Sequence, residues 1–252
     1  MVAADTSWLT RRPVAHRGFH DKAAGRIENT LSAADAAIAR GFSIEIDLQP
    51  SADGVPMVFH DDTLDRLTGE TGLLRERPAE ALGRIAIAGG PDHIPTFAEL
   101  LARVAGRVGL VVEVKSDFSG STDIVAPIAA QLRAYDGPAV IMSFDPRILL
   151  AFKATAPEIP RGMLADATPN EDEYAALSAR QRFMQRHLCY ATKIRPAFAA
   201  YHVKALPAPG PWALRHLFGK PLLTWTVRSE QDRATARRHA DQMIFEGFDP
   251  EA

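Results

Sequence analysis

Two histidines, an arginine and a pair of acids on alternate positions crowd the first part of this chain, in His16-Arg17-Gly18, Glu45-Ile46-Asp47 and His60-Asp61. An imidazole exchanges protons near neutral pH. Paired carboxylates hold a hard divalent cation through oxygen. A guanidinium grips two phosphate oxygens at once. Together these are the parts that hydrolysis of a phosphodiester needs. No single piece is specific, because His and Arg are common at turns and an acid pair is ordinary on a solvated strand.

The elements that must position these groups alternate along the chain. Short extended segments are expected at 13–16, 43–48, 55–59, 110–115, 139–143, 161–165, 201–206, 221–227 and 242–245. Helices are expected from Leu31 to Gly41, from Phe97 to Ala105, and over 123–135, 146–154, 171–186, 212–218 and 230–239. The stretch from Leu64 to Gly90 is rich in charge and glycine and reads as an excursion from the main fold. About eight strands alternating with helices argue for a parallel sheet with right-handed crossovers. In 252 residues, that count favours a closed (β/α)8 barrel, whose active sites lie at the C-terminal ends of its strands.

A barrel changes the weight of the acid pair. Glu45 and Asp47 are two apart and point one way, with Ile44, Ile46 and Leu48 pointing the other. A parallel barrel covers both faces of its strands, so the apolar face meets the helices and the acids face the barrel mouth. Buried acids are costly unless neutralised, and a metal ion would neutralise them. Glu113, one βα unit later, is the expected third ligand, although Glu113 and Lys115 could be a plain ion pair. His60 follows an apolar strand and precedes a polar loop, where a positioned acid/base would sit. His20, His93, His187, His202, His216 and His239 lack such a setting, though His202 and Lys204 share one expected strand face. Trp225 is open between core and pocket wall. Cys189 has nothing nearby to activate it as a nucleophile.

Bulk properties exclude several classes. The net charge is −2, acids and bases are mixed overall, and no long basic run suggests nucleic acid. The single cysteine allows no internal disulfide and fits a reducing compartment. Residues 1–12 do not read as a signal peptide, and no run of about 18 apolar residues is present. A cytoplasmic location is the expectation, and a small molecule the expected partner.

The residues closely resemble the glycerophosphodiester phosphodiesterase family. The pattern runs through Ala15-His16-Arg17-Gly18, Glu28-Asn29-Thr30, Glu45-Ile46-Asp47-Leu48, Asp53-Gly54 and Val58-Phe59-His60-Asp61. It continues through Leu64-Asp65-Arg66-Leu67-Thr68, Pro95 to Leu100, Glu113-Val114-Lys115 and Ser143-Phe144-Asp145. It is dense from Pro13 to Lys115 and sparse after Asp145. The resemblance implies one (β/α)8 barrel over residues 1–252, with a small insertion over about 52–94 lying across the active-site face. It implies His16 and His60 as the acid/base pair, and Glu45, Asp47 and Glu113 as ligands of one Mg2+ or Ca2+. It implies Arg17 and Lys115 on the phosphate, and it matches Trp225 to a late Trp-Thr-Val element beside the substrate. The implied reaction converts a glycerophosphodiester and water to glycerol 3-phosphate and an alcohol. Two departures stand at the C-terminal end. Arg228 replaces the polar residue usual after Trp-Thr-Val, and Ile244-Phe245-Glu246-Gly247-Phe248 occupies the place of a closing strand that normally ends in Thr-Asp. Two other outcomes fit the same residues: a lysophospholipase D-like enzyme acting on a lipid, and a barrel that binds a phosphodiester without turnover.

Overall fold

A computed structural model describes residues 5–167 and 177–252. Strand β1 (Val14–Ala15) pairs in parallel with β2 (Ser43–Pro50) on one side and with β9 (Gln242–Phe245) on the other. Between them run β4 (Leu110–Val114), β5 (Ala139–Ser143), β6 (Arg161–Ala165), β7 (Phe198–His202) and β8 (Leu222–Val227), each parallel to its neighbour. The result is a closed barrel of parallel strands, as expected. Strand β3 (Pro56–Val58) stands outside the barrel, antiparallel to β2, and opens the insertion. That insertion carries its own apolar core, built from Met57, Phe59, Leu64, Leu74, Leu82 and Ile94.

The helices are α1 (Leu31–Arg40), α2 (Ala79–Leu82) within the insertion, α3 (Phe97–Val104), α4 (Val125–Arg133), α5 (Pro146–Thr155), α6 (Ala179–Arg186), α7 (Ala191–Ile194), α8 (Pro209–His216) and α9 (Glu230–His239). Their ends follow local chemistry. The Thr30 hydroxyl accepts from the Ala33 amide at the start of α1, and Gly41 stops that helix at φ 66°. Thr96 and Glu99 form a reciprocal capping box on α3.

Alternation along the strands separates two cores. Ile44, Ile46, Leu48, Val112 and Val114 point outward and pack under the helices. Val14, Val111, Met142, Leu164, Phe198 and Ile244 point inward and fill the barrel. Trp8 and Leu9, from the 3-10 turn Ser7–Thr10, close its N-terminal end. Gly109 makes room for that plug, since a Cβ there would lie 2.2 Å from the Trp8 ring. Because the inner face repeats every two residues, the next inward positions toward the C-terminal mouth are His16, Glu45, Asp47, Glu113, Trp225 and Glu246.

Three expectations shift. The seventh barrel strand lies at Phe198–His202 rather than 201–206. Its small residues Ala199 and Ala200 obscure the alternation, and the chain turns into a 3-10 segment at Val203–Ala205. Lys204 therefore leaves the strand and lies exposed, so it does not share a face with His202. Helix α8 begins three residues before the expected Trp212, because Pro209 takes the first helical position, where a missing N–H costs nothing. Of the helix expected over 171–186, the part before Leu177 lies outside the described residues, and α6 covers its second half.

Candidate active site

The reversal after β1 explains the His-Arg-Gly sequence. Arg17 (φ 55°) and Gly18 (φ 83°) both take left-handed backbone. Gly18 is required twice over, since a Cβ there would also lie 2.8 Å from the Ala33 Cβ. A non-glycine residue in this conformation costs about 1–2 kcal/mol, and the contacts of Arg17 offset it. Its backbone N–H donates to Glu45 Oε2 at 3.0 Å, its Nη1 donates to Glu28 Oε1 at 2.6 Å, and its Nε lies 3.4 Å from Asp47 Oδ2. The turn therefore aims one amide and one guanidinium at carboxylates on the next strand.

Glu45, Asp47 and Glu113 are all buried, and each offers an oxygen within 4.8 Å of the others. Burial raises the Glu45 pKa well above the usual range, and the charges of Asp47 and Glu113 push it further. Glu113 is raised by burial and by Asp47, against the opposing pull of Lys115. Burial also opposes the charge on Asp47, but Lys115, His60 and Arg17, with a hydrogen bond from Asn29, hold its pKa well below the usual range. Lys115 Nζ lies 3.2 Å from Asp47 Oδ1 and 2.8 Å from Glu113 Oε1. Asn29 Nδ2 donates to Asp47 Oδ2 at 2.8 Å. Three buried acids thus share two cations, Lys115 and Arg17, in an all-oxygen cluster. That donor set fits a hard divalent cation.

Two imidazoles flank the triad, each backed by a carboxylate and an arginine. His16 Nδ1 lies 2.6 Å from Glu246 Oε2, and Arg228 Nη2 donates to that same oxygen at 2.8 Å. Hydrogen bonds from His16 and Arg228 keep Glu246 ionised well below the usual carboxylate range, although burial opposes this. Burial lowers the His16 pKa to about 4. The neutral ring therefore carries its proton on Nδ1, facing Glu246, and leaves Nε2 3.9 Å from Glu45 Oε2 as an acceptor. His60 Nδ1 lies 2.8 Å from Asp61 Oδ1. Arg66 holds Asp61 through Nε at 2.6 Å and Nη2 at 2.9 Å, and also donates to Glu28. From β2, Gln49 Nε2 lies within 3.1 Å of the carbonyls of Phe59, His60 and Asp61. It fixes the backbone on which His60 sits.

The structure brings His16, Arg17, Glu45, Asp47, Glu113 and Lys115 together at one mouth, with His60 at its edge. Trp225 stands across from them at the end of β8. Its ring meets Phe144 at 5.6 Å and His202 at 5.0 Å, both edge-on, and its buried Nε1 has no protein partner. The partly buried ring packs against the inner core. His20 also reaches this mouth, within the fields of Glu246 and Glu28, and burial lowers its pKa.

Several supporting residues carry no role in the sequence reading. Glu28, Asp61 and Arg66 stand inside the recognised pattern, yet only folding shows that they form one ion-pair network. Gln49 and Glu246 had a legible signal. Gln49 continues the Glu45 and Asp47 face, and Glu246 continues the inward alternation of β9. Glu246 puts a carboxylate at the mouth, and Arg228 is its ion-pair partner.

Fold and site together define a (β/α)8 barrel with a buried carboxylate triad and two carboxylate-backed histidines at its C-terminal mouth. The Glycerophosphoryl diester phosphodiesterase family matches residues 16–246, and the chain belongs to that family. Among curated relatives, the Bacillus subtilis protein YhdW is 30% identical over 160 residues, covering 60% of this chain and 64% of the relative. A glycerophosphodiester phosphodiesterase of Caldanaerobacter subterraneus subsp. tengcongensis is 29% identical over 163 residues, covering 60% of this chain and 65% of the relative. The matched segment thus spans less than two thirds of either relative. A phosphodiesterase from Oleispira antarctica, solved with the product sn-glycerol-3-phosphate, superposes with a TM-score of 0.75 and 26% identity over 93% of this chain and 92% of that one. Among the described residues, no helix is long and apolar enough to cross a membrane.

Proposed function

We propose that this protein hydrolyses glycerophosphodiesters to glycerol 3-phosphate and an alcohol, with His16 and His60 moving the two protons and a divalent cation, Mg2+ or Ca2+, held by Glu45, Asp47 and Glu113. The observation that carries this reading is the buried, under-neutralised triad lying between two histidines whose Nδ1 atoms are each tied to a carboxylate.

Arg17 and Lys115 border the triad on opposite sides and supply positive charge where two phosphate oxygens would lie. When bound, the cation neutralises the diester and stabilises charge developing on its oxygens. One imidazole takes the proton from the attacking oxygen, which belongs either to water or to the glycerol 2-hydroxyl. The other returns a proton to the departing alcohol oxygen, so the P–O bond breaks without leaving an alkoxide. If the 2-hydroxyl attacks first, the cyclic phosphate is opened by water with the two roles exchanged. Glu246 and Asp61 fix which ring nitrogen of each histidine faces the reacting atoms. Trp225, with its unpartnered Nε1, forms the wall beside the leaving alcohol. The lone, half-buried Cys189 supports a reducing, cytoplasmic setting.

The test is hydrolysis of glycerophosphocholine or bis(4-nitrophenyl) phosphate by the wild type, His16→Ala and His60→Ala. Both variants should lose activity, EDTA should abolish it in the wild type, and Mg2+ or Ca2+ should restore it. Near wild-type rates in either variant would overturn the assignment.

A further inference from the structure

Net charge conceals a strong local asymmetry. Between Glu173 and Glu230 the chain has no Asp or Glu, yet it carries nine Lys and Arg. The even mixing of charge expected from the whole sequence fails in this stretch, which supplies α6, α7, β7 and α8. The same stretch holds all of the molecule's exposed large hydrophobic side chains among the described residues: Phe183, Trp212, Leu217 and Phe218, between 53% and 68% exposed.

Helices α6 and α8 precede and follow β7 and so neighbour each other around the barrel. On α6, Arg180, Phe183 and Arg186 are spaced by three and lie on one face. The end of α6 abuts the first turn of α8, since a Cβ on Gly210 would lie 2.7 Å from the His187 carbonyl oxygen. Trp212 follows two residues later, its ring 5.2 Å from His216, and Leu217, Phe218 and Lys220 continue the exposed run. Arg180, Arg186 and Lys220 form no ion pair among the described residues.

We infer that this α6–α8 side is an interfacial surface that docks the protein on an anionic lipid bilayer. Aromatic and aliphatic side chains entering the headgroup region, flanked by Lys and Arg, make up the composition that binds such an interface. The cations draw it to anionic headgroups, and the rings anchor it. A nucleic-acid surface would use the cations but leaves exposed Leu217 and Phe218 unexplained. An acidic protein partner would pair with the cations but gives no reason for the four exposed apolar side chains among them. The inference does not depend on the reaction at the mouth.

Co-sedimentation tests it, using the whole protein with vesicles of phosphatidylcholine alone and of phosphatidylcholine mixed with phosphatidylglycerol. The wild type should sediment with the anionic vesicles only, and added salt should release it. Each basic residue at such a surface is worth about five-fold in partitioning, so Arg180→Gln with Lys220→Gln should weaken binding about twenty-five-fold. Trp212→Ser with Phe218→Ser should weaken it at least as much, while both pairs leave hydrolysis of a soluble diester unchanged. Equal partitioning onto neutral and anionic vesicles, no sedimentation, or wild-type binding by either variant pair would overturn the inference. So would binding to duplex DNA without binding to vesicles, which would assign the patch to another polyanion.

Discussion

The two histidines at the mouth are supported in matching ways by opposite ends of the chain. His60 is held by its own neighbour, Asp61, and through Arg66 by the insertion, with a side chain that is 26% exposed. His16 is held by Glu246, 230 residues away, and is 10% exposed. One support is local and partly wet, and the other exists only because β9 closes the barrel against β1. The difference teaches that a carboxylate behind each imidazole is the shared requirement, while the route that delivers it depends on where each strand ends.

Several substitutions would break or sharpen that comparison. Replacing either imidazole should have the largest effect, because general acid–base groups typically contribute about 10²–10⁴-fold. His16→Ala and His60→Ala should each lower kcat on a soluble diester by about a thousand-fold, and steady-state assays would show whether one histidine matters far more.

Glu45→Gln should abolish activity of the metal-loaded protein as well, but its stability should move the other way. Burial and two neighbouring acids already oppose the Glu45 charge. In EDTA, thermal unfolding of this variant should occur at or above the wild-type midpoint. A clear loss of stability would show that the charge there is compensated by the protein alone.

The carboxylates behind the rings should rank next. Supporting partners of this kind typically cost about 10–100-fold when removed. Glu246→Gln and Asp61→Asn should each fall in that range in kcat, with KM changed less. The loss should be greater for Glu246→Gln, because the buried His16 has less water available to replace its partner. Equal losses would make burial irrelevant to the pairing.

The arginines behind those two carboxylates, Arg228 and Arg66, should matter least. Arg228 is 56% exposed, and its contact with Glu246 is an exposed ion pair, which is worth about 1 kcal/mol or less. Arg228→Ala should therefore reduce activity only a few-fold. Arg66→Ala should cost more than Arg228→Ala, since Arg66 bridges both Asp61 and Glu28. The reverse ranking, read from kcat/KM, would place the leaving-group wall at Arg228.

Much of the barrel was legible in the sequence. The alternation of β2 put Ile44, Ile46 and Leu48 under the helices and turned Glu45 and Asp47 to the interior, as the structure has them. The hydroxyl cap at Thr30 and the stop at Gly41 marked the bounds of α1. The strand at Phe198–His202 was less legible, because alanines carry too little apolar contrast to reveal a period of two. The resemblance described the beginning of the chain well and the closing strand poorly, since it rests on residue identity. Glu246 is the carboxylate that this departing strand brings to His16.

Residue type and spacing by themselves determined which groups could do chemistry here and which strand faces they occupy, because sidedness follows from backbone periodicity. Only the tertiary structure decided their partners. Barrel closure sets Glu246 behind His16, and the insertion returns Arg66 to both Asp61 and Glu28. Those contacts join residues far apart in sequence, and no local pattern encodes distances that arise only when the last strand pairs with the first.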